Sequence, residues 1–349
     1  MRIDELSLEE KICQMLVVGF RGLKIEDVPW LSNSLTKGHL GGVILFEKDY
    51  QTGEKRNISE PTQLQTLIAQ LKRNSKFPLF IAIDQEGGAV ARLNSSNGFE
   101  DFPSANEIAN KNDISFAEET YSKLSNLLSQ LGFNVNFAPV LDLCINPENT
   151  VIVQKKRCFS KEPEKVVRFS KIFIQNHLRR NVLPVAKHFP GHGSSYADTH
   201  KQWVDVTNLW TTTELKPYEL LRNQDSLPAV MVGHLFNKHI DPIYPATLSH
   251  IWIEEILRKQ IGFDGLVFTD DLQMKAIADN FTLEEIVQLG FNAGVDIFLF
   301  ANQIEYDEQI ISKFVQIVKE LIYQNRISLD RINKSVERII NFKNKFMLN

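Results

Sequence analysis

The chain has 349 residues, a length that suits one large barrel or two modest domains, and 43% apolar residues are enough for a sizeable core. Its 39 basic and 43 acidic residues are interspersed, and the formal charge of -4 argues against a polyanion-binding surface, so no nucleic acid partner is expected. No apolar stretch reaches membrane-span length, and Met1-Arg2-Ile3-Asp4-Glu5 opens no signal-like segment, which predicts a soluble, cytoplasmic protein.

Three cysteines, Cys13, Cys144 and Cys158, lie far apart without a C-x-x-C pair. They predict no disulfide framework and a reducing compartment, with Cys144 and Cys158 as core or near-site thiols.

In chain order, Ser7-Leu8-Glu9-Glu10 is a capping box ahead of a short helix. Met15–Gly19 follows as a first strand, then a helical segment near Ile25–Thr36, then the buried strand Gly41–Phe46. The alternation continues. Helix Pro61–Leu71 precedes strand Leu79–Ile83, which ends at Asp84. Helix Phe116–Leu131 precedes strand Asn134–Pro139, which ends near Asp142. Helix Glu162–Arg179 precedes strand Val182–Ala186, which ends at Lys187-His188. Helix Thr213–Leu221 precedes strand Ala229–Gly233, which ends at His234. Helix Leu248–Gln260, with Ser249 as its cap, precedes strand Leu266–Thr269, which ends at Asp270-Asp271. Helix Leu283–Gly290 precedes strand Val295–Leu299. Two helical stretches, about Tyr306–Ile322 and Leu329–Phe346, close the chain.

Eight strand–helix units imply parallel strands with right-handed crossovers and predict an α/β protein. The specific expectation is a (β/α)8 TIM barrel forming a single domain over 1–349. An open doubly wound sheet is the competing arrangement. The longest irregular tracts, Asn94–Asn106, Asn146–Pro163 and Gly191–Asp205, all follow strands and would share one end of the barrel.

That end would gather Asp84, Asp142, Lys187, His188, His234, Asp270 and Asp271, with Arg157, His192, Asp198 and His200 added from loops. So many ionisable groups on one face argue for an active site. A carboxylate fixed at a strand end suits a nucleophile, and one of Asp270 and Asp271 should enter the mouth. That both are helix caps stays open. Asp198 and His200, two apart in an extended loop, would face the same way, so the carboxylate can orient the imidazole for proton transfer. Incidental polar residues on a solvated loop are the bland alternative.

His188 and His192 have the spacing of a metal pair on a helix, and with His234 they would make a zinc hydrolase. Pro190 and Gly191 interrupt any such helix, and no metal is expected. Lys187 and His188 can donate to substrate hydroxyls, and His192 braces its loop. Asp84, in I-D-Q-E-G-G, can accept from a sugar diol over the turn made by Gly87 and Gly88, or simply cap. Arg157 can hold vicinal hydroxyls or a carboxylate through its forked donors. Asp142 is expected to orient Lys187 or Arg157 from behind. No phosphate-binding glycine loop is present, so no nucleotide cofactor, and no cofactor of any kind, is expected.

Taken together and in order, these segments resemble the family 3 glycoside hydrolases, and within them the bacterial β-N-acetylglucosaminidases (β-hexosaminidases). The segments are Ser7–Leu16, Gly41–Phe46, I-D-Q-E-G-G at Ile83–Gly88, N-F-A-P-V-L-D at Asn136–Asp142 and R-C-F-S at Arg157–Ser160. They continue with K-H-F-P-G-H-G at Lys187–Gly193, D-T-H at Asp198–His200, P-A-T-L-S at Pro245–Ser249, F-T-D-D-L-Q-M at Phe268–Met274 and A-G-V-D at Ala293–Asp296.

The resemblance implies a (β/α)8 barrel and a retaining, two-step hydrolysis. Asp270 would be the nucleophile and His200 the general acid/base, oriented by Asp198. Asp84, Arg157, Lys187 and His188 would hold the non-reducing sugar, and Asp142, His192 and His234 would support them. The expected substrate is a terminal N-acetylglucosamine of a peptidoglycan fragment (muropeptide) or chitooligosaccharide, cleaved by a monomer. The absence of room for a second domain favours this branch over the β-glucosidases. A β-glucosidase and a catalytically silent sugar-binding barrel are the other readings. The chain departs from the family pattern at Ser194, Ser195 and Thr199, and in the basic loop Val151–Lys156.

Overall fold

The computed structural model describes residues 1–196 and 198–347; the expected domain also takes in Ala197, Leu348 and Asn349, which lie outside them. Nine short strands carry the fold: β1 (Leu16–Gly19), β2 (Gly42–Ile44), β3 (Phe80–Ile83), β4 (Val135–Asn136), β5 (Leu183–Pro184), β6 (Ala186–Phe189), β7 (Ala229–Val232), β8 (Leu266–Thr269) and β9 (Phe298–Phe300). They are buried throughout. Strands covered on both faces need apolar side chains on both, which is why they read as continuous apolar runs.

Six strands pair in the order β9-β1-β2-β3-β4-β5 and three in the order β8-β7-β6. Every pairing among them is parallel. Two further parallel bridges join the groups, Val140 to Lys187 and Phe268 to Ile297.

The connecting helices are α1 (Leu8–Gln14), α2 (Pro29–Lys37), α3 (Pro61–Asn74), α4 (Ala105–Lys111), α5 (Ile114–Leu131), α6 (Pro163–Leu178), α7 (Lys216–Arg222), α8 (Ile251–Gln260), α9 (Lys275–Ala278), α10 (Leu283–Ala293), α11 (Ile310–Tyr323) and α12 (Leu329–Met347). The capping box at Ser7 forms as expected: Glu10 N–H donates to Ser7 Oγ at 3.2 Å, and Ser7 N–H to Glu10 Oε2 at 2.8 Å. Ser249 accepts from Trp252 N–H at 3.2 Å, the capping role expected of it. The helix that follows winds wider than the α form, with Ile261 N–H donating to Ile256 O at 2.9 Å, five residues back.

Two expectations are corrected here. Lys187 and His188 do not follow their strand but lie within β6, because the chain resumes pairing after Val185. Cys144 and Cys158 are not separate thiols but form a disulfide with Cα atoms 5.6 Å apart. The loop after β4 folds back on itself and brings the two together, which removes the cysteine argument for a reducing compartment.

At the end of the strands opposite the ionisable cluster, Lys343 of α12 is fully buried. Its Nζ donates to Gln14 Oε1 and to Gly41 O, each at 2.8 Å, and lies 4.6 Å from the centre of the Phe80 ring. Burial pushes its pKa down to about 7. Among the described residues, no helix is long and apolar enough to cross a membrane.

Candidate active site

The carboxyl ends of the strands bring the predicted residues together in two groups. The first is a network of buried charges. Lys187 Nζ, from β6, donates to Asp84 Oδ1 at 2.8 Å and lies 2.7 Å from Glu86 Oε1. Arg157 reaches the same Glu86 with both arms of its guanidinium, Nε to Oε2 at 2.8 Å and Nη2 to Oε1 at 2.7 Å. Arg92 adds a contact to Asp84 Oδ2 at 3.3 Å. Burial alone would raise the Glu86 pKa, but the charges of Arg157 and Lys187 bring it down to about 2. The same opposition, with Lys187 and Arg92 as the cations, leaves Asp84 below its ordinary value.

Glu86 is not among the residues expected from the sequence. It stands two after Asp84, and alternate residues of an extended segment share a face, so the spacing held the signal. The turn below them needs glycine: Gly87 has φ +98, and a Cβ there would sit 2.3 Å from Pro103 O.

Asp142 does not orient Lys187 or Arg157. Its Oδ2 lies 2.6 Å from His188 Nδ1, and its Oδ1 accepts from the backbone N–H groups of His188 (3.2 Å) and His192 (2.8 Å). It therefore fixes the His188 ring and the start of the glycine-rich loop together. His188 Nε2 faces Arg157 Nη2 at 3.5 Å. His192 braces the loop, as expected: Ser195 Oγ lies 2.6 Å from its Nδ1, and Asn149 Nδ2 donates to its carbonyl at 2.8 Å. Burial pushes the His192 pKa down to about 4, so the ring is neutral near pH 7. Gly193 passes so close to Leu143 that a Cβ would lie 1.8 Å from its carbonyl oxygen.

The second group is the carboxylate and imidazole pair. Asp270 directly follows β8, its N–H donates to Val232 O at 3.0 Å, and its Oδ1 accepts from Asp271 N–H at 2.8 Å. Burial would raise its pKa, but the surrounding His234, His188 and His200 rings hold it below the ordinary value. Asp271 turns away: its Oδ1 accepts from Ala301 N–H at 3.0 Å and Gln273 N–H at 3.2 Å. Burial lifts its pKa to about 6. His200 acts on both aspartates, but only Asp270 is held below its ordinary value, by His234, His188 and His200 together.

Asp198 and His200 form the dyad that their spacing suggests. Asp198 Oδ1 lies 2.9 Å from His200 Nδ1 and also accepts from His200 N–H at 2.9 Å. Burial pulls the His200 pKa down, but the bond from Asp198 and the charge of Asp270 carry it above its ordinary value. The His200 side chain is about half exposed, 54%, so it is open to an incoming ligand. Its loop is tied to the chain after Asp270 by Ala276 N–H donating to Thr199 O at 3.2 Å.

His234 has both nitrogens engaged, Nδ1 2.8 Å from Thr247 Oγ1 and Nε2 2.9 Å from Asp271 O. It supports the strand-end turn. Among the described residues, no group of three His, Cys, Asp or Glu side chains is placed to hold a metal ion.

Glu214 is a further residue that no sequence motif marks out. It is buried beneath the glycine-rich loop, where its Oε2 accepts from Gly193 N–H at 2.9 Å. Burial, helped by the charge of Asp142, lifts its pKa from 4.5 to about 8. The folded protein thus holds a proton that the unfolded chain releases above about 4.5, so this site's contribution to stability falls as pH rises from there to about 8. Glu214→Gln keeps an acceptor for Gly193 and removes the titration. Across pH 5 to about 8.5, the variant's Tm should gain steadily on that of the parent protein; a constant difference would contradict a buried neutral Glu214.

Parallel strands flanked by helices, with acidic and basic groups converging at the strand carboxyl ends, define the α/β class that binds ligands at that end. The chain belongs to glycosyl hydrolase family 3: the Glycosyl hydrolase family 3 N terminal domain matches residues 7–342. Beta-hexosaminidase A of Pseudoalteromonas piscicida is 32% identical over 338 residues, covering 91% of this chain and 55% of that protein. A Beta-hexosaminidase of Tolumonas auensis is 34% identical over 268 residues, 75% of this chain and 76% of that one. The structure of a family 3 β-N-acetylglucosaminidase from Paenibacillus sp. superposes with a TM-score of 0.88 at 32% identity, covering 97% of this chain and 62% of that one. The chain thus spans about half the length of the first of these relatives and under two thirds of the Paenibacillus protein.

Proposed function

We propose that this protein is a retaining exo-β-N-acetylglucosaminidase acting on terminal N-acetylglucosamine of peptidoglycan fragments, with muropeptides as the substrate class and chitooligosaccharides as the alternative. The observation that carries the reading is two groups brought to one end of the strands: Asp270, directly after β8, and an imidazole held by Asp198 on a loop tied to the chain after Asp270 by Ala276 N–H donating to Thr199 O. The names of the relatives support the sugar class.

In this reading the sheets close into a (β/α)8 barrel, supported by the bridges Val140–Lys187 and Phe268–Ile297. Residues 1–349 form one domain acting as a monomer in the cytoplasm. Cell fractionation and sedimentation test those two points, and recovery outside the cytoplasm or as an oligomer would overturn them.

Asp84, Arg157, Lys187 and His188 bind the non-reducing sugar. Lys187 and Arg157 arrive already neutralised by Asp84 and Glu86, so they orient hydroxyls without adding net charge. Asp270, kept ionised, attacks the anomeric carbon while protonated His200 gives its proton to the glycosidic oxygen. The neutral ring then takes a proton from water, and the hydroxide displaces Asp270 from the sugar. Two displacements return the original anomeric configuration.

The two shifts set the pH profile of kcat/KM. Asp270 is lowered, so the acid limb lies below its ordinary 3.8. His200 is raised, so the alkaline limb lies above its ordinary 6.5. The deciding experiment is His200→Ala on two substrates. Loss of general acid catalysis should cost about 10²–10⁴-fold on an alkyl aglycone and far less on nitrophenyl N-acetylglucosaminide. Equal losses on both would exclude His200 as the acid.

A further inference from the structure

We infer that the Cys144–Cys158 disulfide is a thiol-exchange site that sets the position of Arg157, and so makes sugar binding sensitive to reduction by a dithiol. The inference rests on the glycosidase reading for its kinetic consequence but not for its structural one.

The bond joins two places that matter to the same site. Cys144 is two residues after Asp142, which holds His188 and His192. Cys158 adjoins Arg157, which clamps Glu86. Between them runs the loop whose Val151 and Ile152 pack with Cys158 and, from before the loop, Val140 in a small apolar cluster separate from the main core. So few side chains supply little burial, and the covalent link takes over work that a larger core would do elsewhere. The loop also contacts the site directly. Val151 O accepts from Arg157 Nη1 at 3.2 Å, and Asn149 and Asn146 donate to His192 O and Ser195 O at 2.8 and 3.0 Å.

Chemistry favours entry at one end. Cys158 is fully buried, whereas Cys144 is only partly so. A thiolate of the dithiol attacks Cys144 Sγ, and Cys158 leaves as a thiolate and takes up a proton. The second thiol of the reagent, deprotonated, then displaces Cys144 from the mixed disulfide. The protein gains two electrons and two protons, and the reagent leaves as its own disulfide. Once freed, the loop no longer fixes the Arg157 backbone beside Glu86.

The test compares the protein in oxidised and dithiothreitol-reduced forms. Alkylation of the denatured oxidised form should label Cys13 alone, and the reduced form should carry three labels. Reduction should speed hydrogen exchange across residues 145–157. It should also raise KM for nitrophenyl N-acetylglucosaminide roughly 10-fold while kcat changes little, because ground-state binding is what Arg157 supplies. Reoxidation should restore both, and Cys144→Ser/Cys158→Ser should match the reduced form and ignore dithiothreitol. A loop that merely melted would cost active enzyme and lower apparent kcat at constant KM, which would overturn the positioning role. Three labels after treatment with a disulfide oxidant, or unchanged exchange and KM on full reduction, would overturn the inference. Absence of hydrolysis in every form would reject the glycosidase reading instead, and the exchange rates would still decide whether the bond anchors the loop.

Discussion

Asp270→Ala should lower kcat on nitrophenyl N-acetylglucosaminide by on the order of 10⁴-fold or more, because the covalent route loses its nucleophile. The neighbouring aspartate cannot take over. Asp271 is buried, and its Oδ1 is committed to the N–H groups of Ala301 and Gln273. The variant should fold, since among the described residues the Asp270 side chain makes only a local bond, to Asp271 N–H, and its backbone bond to Val232 O survives the substitution. Steady-state kinetics with a circular dichroism control reads the outcome. Activity within tenfold of the parent would remove Asp270 from the mechanism.

Glu86→Ala should be the most damaging change to stability in the binding site. It leaves Arg157 and Lys187 buried, with Asp84 still paired to Lys187 but, among the described residues, no other carboxylate paired to Arg157. Removing one partner of a buried ion pair costs about 3–5 kcal/mol, because the stranded charge has lost both water and its counter-ion. Urea unfolding measures it. Glu86→Gln keeps the shape and a hydrogen-bond acceptor, so it should fall between the parent and the alanine variant. A loss under about 1 kcal/mol for Glu86→Ala would show that water reaches the pair and screens it.

The strands were legible in the sequence because parallel strands buried on both faces have little polar interruption, so Leu266–Thr269 and Phe80–Ile83 stand out as apolar runs. The residues just past them, Asp84 and Asp270, follow from the same reasoning. The Asp198–His200 dyad was legible because its partners are two residues apart. What escaped was contact at long range. Glu86 meets Arg157 across 71 residues, and Glu214 meets Gly193 across 21. The spacing of Glu86 from Asp84 puts both on one face but does not name Arg157 as the partner, and Glu214 leaves no local pattern at all. The Cys144–Cys158 bond escaped for a related reason: 14 residues can close on themselves in many ways, and only the fold chooses one. The position of Asp142 past its strand end is legible, but its partner His188 is not, because a strand end says where a side chain starts and not which neighbour it meets.

Lys343 has a consequence for how the molecule comes into being. Its ammonium group meets Gln14 and the carbonyl of Gly41, more than 300 positions earlier in the chain. During synthesis on the ribosome the early strands emerge first, and they must wait until α12 has been translated before this stopper arrives. Until then their lower rim stays open to water and to other chains, so a nascent chain stalled short of α12 should be the form that chaperones seize.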